Sequence, residues 1–314
     1  MNVSRKGIIA GGAMLLAAGR SAFAQTALTT VRVASNPVND VTPLIYAQNS
    51  GLFKNAGLDV TLEKATNGSA VAAALAGNAI DVGKVSSTAI ITAHARGIPL
   101  TIIFPDRLHT FGPDSESQIV VPPDSPIRIG RDLNGKTISV GAIKDSTWIG
   151  ARLFVDAAGG DSTTVKFIEL PFSAVTAAVL AKRIDAGVSN APYLKDDVRA
   201  GKVRALGDLL GALGPHFLET AWVCTADYIA KNRDTVARFV RVIHEAQVWC
   251  NAHVSEAGDL TSAYTGIDRA TVAATKTIFA TEADPREMQP YVTACAKYDI
   301  IPKSFDAAEL YARL

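Results

Sequence analysis

Hydroxyl and amide side chains follow several predicted strands of this chain, at the points where helices are predicted to begin. Asn36 and Asn39 come after the first strand, and Ser146 and Thr147 take the corresponding place in the second half of the chain. Loops at the carboxyl ends of parallel strands meet at one edge of a sheet, where open α/β folds bind small ligands. We therefore expect a non-covalent binding site composed of Asn36, Pro37, Asn39, Gly68, Ser69, Ser86, Ser87, Arg107, Ser146, Thr147, Trp148, Asn190 and Tyr193.

The chemistry of these residues favours an anionic ligand. Unpaired N–H groups and the dipole at a helix start attract negative charge by roughly 0.3–1 kcal/mol per exposed helix end. Arg107 and His109 are candidate counter-ions, and solvated surface charges are the alternative. Trp148 directly follows two hydroxyl residues, so its ring could cover an aromatic ligand or pack in the core. Any single Ser or Thr could also serve only as a helix N-cap.

No arrangement of residues in the sequence favours catalysis. Asp81 and Asp185 look like a carboxylate pair, but each follows an isoleucine at the same turn of its own repeat. We therefore expect both to hold the start of a strand rather than to meet across a substrate. The histidines are scattered, and neither metal-ligand spacing nor a glycine-rich phosphate motif appears. The sequence predicts no enzyme, no cofactor and no metal site.

The three cysteines leave their redox state open. Cys224, Cys250 and Cys295 are far apart in sequence, and none lies in a C-x-x-C motif. One disulfide with one free thiol is compatible with an oxidising compartment. Three buried thiols are equally compatible, because a free cysteine packs as a small hydrophobic residue.

Two stretches of the chain repeat the same order of elements. Residues 31–83 have the pattern strand, loop, helix, strand, loop, helix, strand, and residues 137–187 have it again. Such alternation predicts an α/β fold in which each repeat forms one lobe with a parallel-rich sheet. Later in the chain, apolar residues at helical spacing predict one long amphipathic helix from Ala226 to His253.

The order of strands predicts that the chain crosses between the two lobes twice. The crossings fall near Phe104 and near Trp222, and such crossing strands are natural hinges. We expect lobe 1 to comprise residues 25–104 plus 222–314 and lobe 2 to comprise residues 105–221, with the ligand cleft between them.

Residues 1–24 have the pattern of a signal peptide. Arg5 and Lys6 precede an apolar run that is too short to span a bilayer comfortably, and Ala22-Phe23-Ala24 supplies a cleavage pattern. We expect cleavage after Ala24 and export to the periplasm. The composition, 48% hydrophobic and 19% charged, is that of an ordinary globular protein, and we expect a monomer. With a formal charge of +1 and no basic cluster, nucleic acid is not an expected partner.

Five short sequence segments resemble those of a known family. They occupy residues 43–53, 56–60, 77–83, 132–136 and 183–187. They are similar to periplasmic substrate-binding proteins of ABC importers in the nitrate/sulfonate/taurine group, which shares its fold with NMT1/THI5-like proteins. The resemblance implies a type II periplasmic binding fold, with two lobes joined by a two-strand hinge that close around a ligand. It also implies that the closed form docks on a membrane permease. THI5-like enzymes carry a His-Cys-Cys-Cys-Phe-Cys segment that this chain lacks, which argues against pyrimidine-synthase activity.

These observations predict an exported solute-binding protein for a small, anionic organic compound, such as a sulfonate or carboxylate that can carry an aromatic ring. An ABC-type permease in the inner membrane is the expected partner. One alternative is an enzyme on the same scaffold, a pyrimidine-precursor synthase or a dehydratase. Another is a sensor module whose liganded form docks on a membrane receptor.

Overall fold

The computed structural model describes residues 27–36, 38–65, 68–109, 111, 115–191, 193–214, 216–274 and 277–313. The side chain of Ser69 is not included in that description. The predicted signal peptide (residues 1–24) and Pro37 likewise lie outside the described residues.

Strands and helices alternate through most of the chain. The strands are β1 (Thr29–Ser35), β2 (Leu58–Lys64), β3 (Val82–Ser86), β4 (Leu100–Pro105), β5 (Arg107–Leu108), β6 (Ser117–Val121), β7 (Thr137–Val140), β8 (Lys166–Glu169), β9 (Ala186–Asn190), β10 (Arg204–Asp208), β11 (Thr220–Thr225) and β12 (Ile278–Phe279). The α-helices are α1 (Thr42–Asn49), α2 (Leu52–Asn55), α3 (Gly68–Ala76), α4 (Ser87–Ala95), α5 (Ser146–Ala157), α6 (Phe172–Leu180), α7 (Tyr193–Arg199), α8 (Ala226–Lys231), α9 (Arg233–Ala252), α10 (Val254–Thr265), α11 (Arg269–Ala273) and α12 (Gln289–Lys297). None of these helices combines the length and apolar character needed to cross a membrane.

Two of the described sheets have the same strand order. The first is β2-β1-β3-β11-β4, and the second, taken from its far edge, is β8-β7-β9-β6-β10. In each, the three strands of one sequence repeat are parallel, and the strand next to them is antiparallel and comes from a crossing segment. The predicted α/β architecture with parallel-rich sheets is confirmed.

The helix predicted from Ala226 to His253 is wrong in one respect. It is divided into α8 and α9 at Asn232, whose backbone leaves helical geometry with φ −132° and ψ 35°. The Nδ2 of Asn232 donates to the carbonyl oxygen of Tyr228 at 3.1 Å. Asparagine competes in this way for backbone hydrogen bonds, so it breaks an otherwise continuous apolar pattern.

Asp81 and Asp185 have equivalent structural roles, as predicted. An Asp81 Oδ2 accepts the backbone N–H of Arg32 on β1 at 2.8 Å, and the N–H of Asp81 donates to the carbonyl of Arg32 at 2.8 Å. Asp185 makes the same pair of bonds with Thr137 on β7, at 2.9 and 3.0 Å. Each aspartate therefore fixes the loop before the third strand of its repeat to the first strand.

The C-terminal segment packs against both halves of the molecule. Helix α12 contacts α4, which follows the first repeat, and α5 of the second repeat. The hydroxyl of Tyr298 donates to Asp156 on α5 at 2.8 Å, whereas the N–H of Ala312 donates to Ile102 on β4 at 2.8 Å. Residues after β11 are thus bound to the second half of the molecule as well as to the first.

The two segments that cross between the sheets run side by side. The N–H of Asp106, just after β4, donates to Thr220 at 3.0 Å, and the N–H of Glu219 donates to Arg107 at 2.9 Å. The N–H of Ala280, just after β12, donates to the carbonyl of Asp106 at 2.7 Å. This region contributes Arg107, Glu219 and Thr220 to the wall of a cavity between the sheets.

All three cysteines are buried and free. Burial raises the pKa of the Cys250 and Cys295 thiols to about 12. At neutral pH these groups are therefore protonated, and they pack as small apolar side chains.

Candidate functional site

A cavity of about 370 Å³ lies between the two sheets, where the loops after β1, β3, β7 and β9 converge. This is the edge that holds the carboxyl ends of the parallel strands, so both repeats present their loops to the same space. The predicted residues that line it are Asn36, Asn39, Ser86, Arg107, Ser146, Thr147 and Asn190. The structure brings these candidates together, and their contact with a ligand stays a prediction.

Other candidates lie elsewhere. Gly68 opens α3 and lines a neighbouring cleft that shares Ser86 with the cavity. Ser87 is fully buried, and its hydroxyl and N–H donate to the carbonyls of Leu218 and Glu219, so it joins α4 to the segment before β11. Tyr193 is 47% exposed at the start of α7, away from the cavity wall. The Ser69 side chain and Pro37 lie outside the description.

Trp148 packs in the core instead of facing the cavity. Its side chain is 8% exposed, with its ring 5.9 Å from that of Phe167 and 6.3 Å from that of Tyr298. The guanidinium of Arg152 lies 4.8 Å from the same ring. The predicted ligand contact is therefore corrected: the first turn of α5 directs Thr147 towards the cavity, and the next residue points into the protein.

Arg107 forms a buried ion network. Its guanidinium donates to Glu116 and to Glu219, and its Nε lies 3.7 Å from an Asp40 oxygen. Burial lowers the pKa of Arg107, but the three carboxylates outweigh this effect and hold it well above its usual value. Arg107 therefore lines the cavity as a partner of the protein's own acids and is neither a solvated charge nor a free counter-ion.

His109 lies outside the cavity wall and contacts this network through Glu219. Its Nδ1 lies 2.5 Å from Glu219, its Nε2 lies 2.8 Å from Asp208, and its ring stacks on Phe217 at 4.3 Å. Burial alone would lower the pKa of His109, but the two carboxylates raise it to about 9. The side chain is absent from the cavity lining. The imidazolium therefore fixes Glu219 instead of binding a solute.

A second ion pair lies beside the first. Asp40 accepts a hydrogen bond from Lys84, and both side chains are almost fully buried. Burial would raise the pKa of Asp40, but Lys84 and Arg107 lower it. Asp106 lies on the far side of Thr220, whose hydroxyl is 3.1 Å from Asp40 and 3.0 Å from Asp106. Burial and then the charge of Asp40 raise the pKa of Asp106 to about 7.

The chain's own groups occupy the helix starts at the cavity. Asp145 caps α5, where its Oδ1 accepts from the N–H of Trp148 at 2.9 Å and from the hydroxyl of Thr147 at 2.6 Å. Ser86 caps α4 by accepting from the N–H of Ala89 at 3.4 Å. The N–H groups that the sequence offered to an anion are thus partly used within the fold.

The charged residues among those that line the cavity are mostly acidic. Asp40, Glu116 and Glu219 contribute carboxyl groups, against the single guanidinium of Arg107 within the described lining. Three buried oxygens that face this space also lack a hydrogen-bond partner: Thr88 Oγ1, Glu116 Oε1 and Asn190 Oδ1. An unpaired buried polar group costs roughly 1–3 kcal/mol, so these oxygens are sites where a ligand can contribute stability.

Residues 38–257 match the family described as NMT1/THI5 like. The match covers more than half of the chain and includes the second repeat and the first repeat from residue 38 onwards. The chain belongs to the NMT1/THI5-like family. This confirms the resemblance seen in the sequence.

Named relatives of this family member are binding proteins. The putative aliphatic sulfonates-binding protein of Bacillus subtilis is 26% identical over 240 residues, which cover 74% of this chain and 69% of the relative. The periplasmic aliphatic sulphonate binding protein SsuA of Escherichia coli superimposes with a TM-score of 0.74 at 18% identity, over 90% of this chain and 92% of that one. The periplasmic nitrate-binding protein NrtA of Synechocystis PCC 6803 gives 0.66 at 18% identity, over 89% and 84%.

These similarities establish that this chain has the periplasmic binding protein fold. None of the three named proteins is described as an enzyme, in agreement with the sequence-based prediction that this chain is not one.

Sequence reasoning missed the acids and the apolar wall of the cavity. Asp40 follows the predicted Asn39, and Glu116 and Glu219 come just before strands, so each lay next to a recognised element. The Arg107–Glu219 pair joins residues 112 positions apart, which no local pattern reveals, whereas Glu116 is only nine positions from Arg107. Other lining residues that were missed are Val38, Ser117, Phe172, Leu209, Leu210, Thr220, Ile267, Thr271, Val272 and Tyr291.

Proposed function

We propose that this chain is an exported solute-binding protein that binds a small organic compound between its lobes and delivers it to an ABC-type permease. The observation that carries the proposal is the composition of the cavity wall. Asn36 and Ser86 come from loops of the first sheet, whereas Ser146 and Asn190 come from loops of the second. A solute that contacts both sides binds the closed arrangement more tightly than an open one and shifts the population towards it.

The family and its named relatives support this proposal. A cavity of about 370 Å³ falls within the size range of small-molecule sites. The relatives are named for sulfonate and nitrate binding, and binding of a small solute is the function that their names share. In this proposal residues 1–24 direct export and are removed, and the mature chain acts as a monomer in the periplasm.

Binding is tested by thermal denaturation of the mature chain against sulfonates, nitrate, carboxylates, aromatic acids and amines. A true ligand at about 100 times its Kd should add ~2.7 kcal/mol to the free energy of unfolding. Asn190→Ala should weaken the response, whereas Asn55→Ala, at an exposed end of α2, should not. Turnover of a compound by the purified chain without any stabilisation would contradict the proposal and favour the enzyme alternative.

Delivery is tested by uptake of the identified ligand in cells that lack this chain. Uptake should fail in those cells and return when the wild-type chain is supplied, but not when a binding-deficient Asn190 variant is supplied. Unchanged uptake together with loss of a cellular response to the ligand would favour the sensor alternative. Fractionation of the same cells, with the size of the exported chain, checks cleavage after Ala24 and periplasmic location.

A further inference from the structure

Glu116 and Asn190 lie side by side at the cavity. The N–H of Ala191 donates to the carbonyl of Glu116 at 2.9 Å, and β6 and β9 pair Ser117 with Asn190. One carboxylate oxygen of Glu116 accepts from Arg107. The other, Oε1, and the amide oxygen of Asn190 are buried without a partner. Two unpaired acceptors therefore come from adjacent strand ends that line one cavity.

A third unpaired group lies on the opposite wall. Thr88, in the first turn of α4, is 7% exposed and lines the cavity, and its Oγ1 has no hydrogen-bond partner. Buried polar atoms without a partner are uncommon in folded proteins. Their occurrence on both walls of one cavity points to a ligand that pairs with both.

The chemistry of Glu116 decides what this ligand must offer. An ionised carboxylate can only accept hydrogen bonds, so the group that pairs with Oε1 must be a donor. The Asn190 amide can present either its oxygen or its nitrogen to a ligand. Because the ligand group that pairs with Glu116 is a donor, the amide oxygen is the better partner for it. An anion would lie next to the carboxyl groups of Glu116 and Glu219. The guanidinium of Arg107 already donates to both, and only its Nε is left without a hydrogen bond.

We propose that the solute is a small organic amine whose N–H groups bind between Glu116 Oε1 and Asn190 Oδ1. The assignment rests on the proposed function and names its substrate class. The amine adds positive charge to a wall rich in carboxyl groups, and an acidic group elsewhere in the molecule is compatible with it. The carbon skeleton lies against the apolar side chains of Leu209, Leu210 and Val272, which line the same cavity.

Matched probes test the assignment by titration calorimetry on the mature chain. The panel consists of carboxylates and sulfonates of two to six carbons with and without a terminal primary amine, together with the corresponding alkylamines. We expect amine-bearing members to bind at least tenfold more tightly than their matched partners without the amine. Tightest binding by an amine-free sulfonate or carboxylate would overturn the assignment and leave the proposed function standing. Binding of no member would overturn both.

Variants at Glu116 and Asn190 test whether these two side chains bind the amine. Glu116→Gln and Asn190→Leu should each weaken binding of the best amine at least tenfold. Glu116→Gln should also reduce the ratio of the affinity for that amine to the affinity for its amine-free partner. Glu63→Gln removes the same charge at an exposed position on β2 and should change neither value. The melting temperature of each unliganded variant separates folding from binding, and Asn190→Leu leaves the Arg107–Glu116 pair intact. Unchanged amine affinity in both folded cavity variants would overturn the assignment.

Discussion

The two walls of the cavity satisfy their polar groups in different ways. On the side of the first sheet, Asp40 is paired with Lys84 and lies within hydrogen-bond distance of Thr220. On the side of the second sheet, Glu116 has one oxygen on Arg107 and one unpaired, and the amide oxygen of Asn190 is also unpaired.

The difference shows how two copies of one topology can be used differently. The charges of the first wall are neutralised inside the fold, so that wall keeps its shape without a ligand. Among the described lining residues, the second wall retains two side-chain acceptors that only a bound group can satisfy, whereas the first retains the hydroxyl of Thr88. The first wall is thus preorganised, and selectivity depends more on the second.

Removal of Lys84 should damage the first wall most. Lys84→Met leaves Asp40 buried without its main partner, and breaking a buried pair in this way costs about 3–5 kcal/mol. Urea unfolding at 25 °C measures the loss. Lys231→Met breaks an exposed pair with Asp227 and should cost less than about 1 kcal/mol. Equal small losses in the two variants would show that the first wall does not depend on its ion pair.

Trp148→Ala should lower the free energy of unfolding of the unliganded protein by about 3 kcal/mol, because it empties a core position between Phe167 and Tyr298. Trp148→Phe should recover much of the loss. Ligand affinity, measured well below the melting temperature, should change little. Weaker binding with unchanged stability would mean that the ring belongs to the second wall after all.

His109 should make stability depend on pH. Its pKa is raised from 6.5 to about 9 in the folded state, so its contribution is complete below pH 6.5 and is lost as pH rises through 9. The expected loss is on the order of 2–3 kcal/mol. Asp106, with a folded pKa of about 7, changes stability in the same direction at lower pH.

Urea titrations between pH 6 and 9.5 measure this effect. His109→Gln should flatten the decline, whereas the exposed His253→Gln should not. A decline of the same slope in the His109 variant would exclude the imidazolium as the support of Glu219.

The two repeat aspartates should have small and unequal effects. Asp81→Ala removes both a backbone acceptor and a side-chain pair with Arg32, so we expect a loss of about 2 kcal/mol. Asp185 is more exposed, and its ion pair with Lys136 is long, at 3.9 Å. Asp185→Ala should therefore cost about 1 kcal/mol. Thermal denaturation of both variants checks the order. A larger loss at Asp185 would show that the repeats are not equivalent in the way their hydrogen bonds suggest.

Local patterns were enough to predict the strands of the two repeats and the repeat itself, but they did not predict β10, α4 or α7. Apolar alternation located β1 and β7, and the Ile-Asp turns identified the aspartates that hold them. Such patterns do not show where a single residue interrupts a helix. The apolar spacing continues through Asn232, but the helical backbone geometry is broken there. They also could not separate Thr147 from Trp148, because neighbouring residues in the first turn of a helix face different sides.

The sequence by itself determined the α/β repeat, the family and the edge of the sheets at which a ligand would be expected, because each depends on short-range periodicity or on recognisable phrases. Only the tertiary structure decided the charge of the cavity. Arg107 reads in sequence as a free cation, but the fold places Glu116, Glu219 and Asp40 around it. Electrostatic pairing depends on distance in space, and distant segments meet only once the chain has folded.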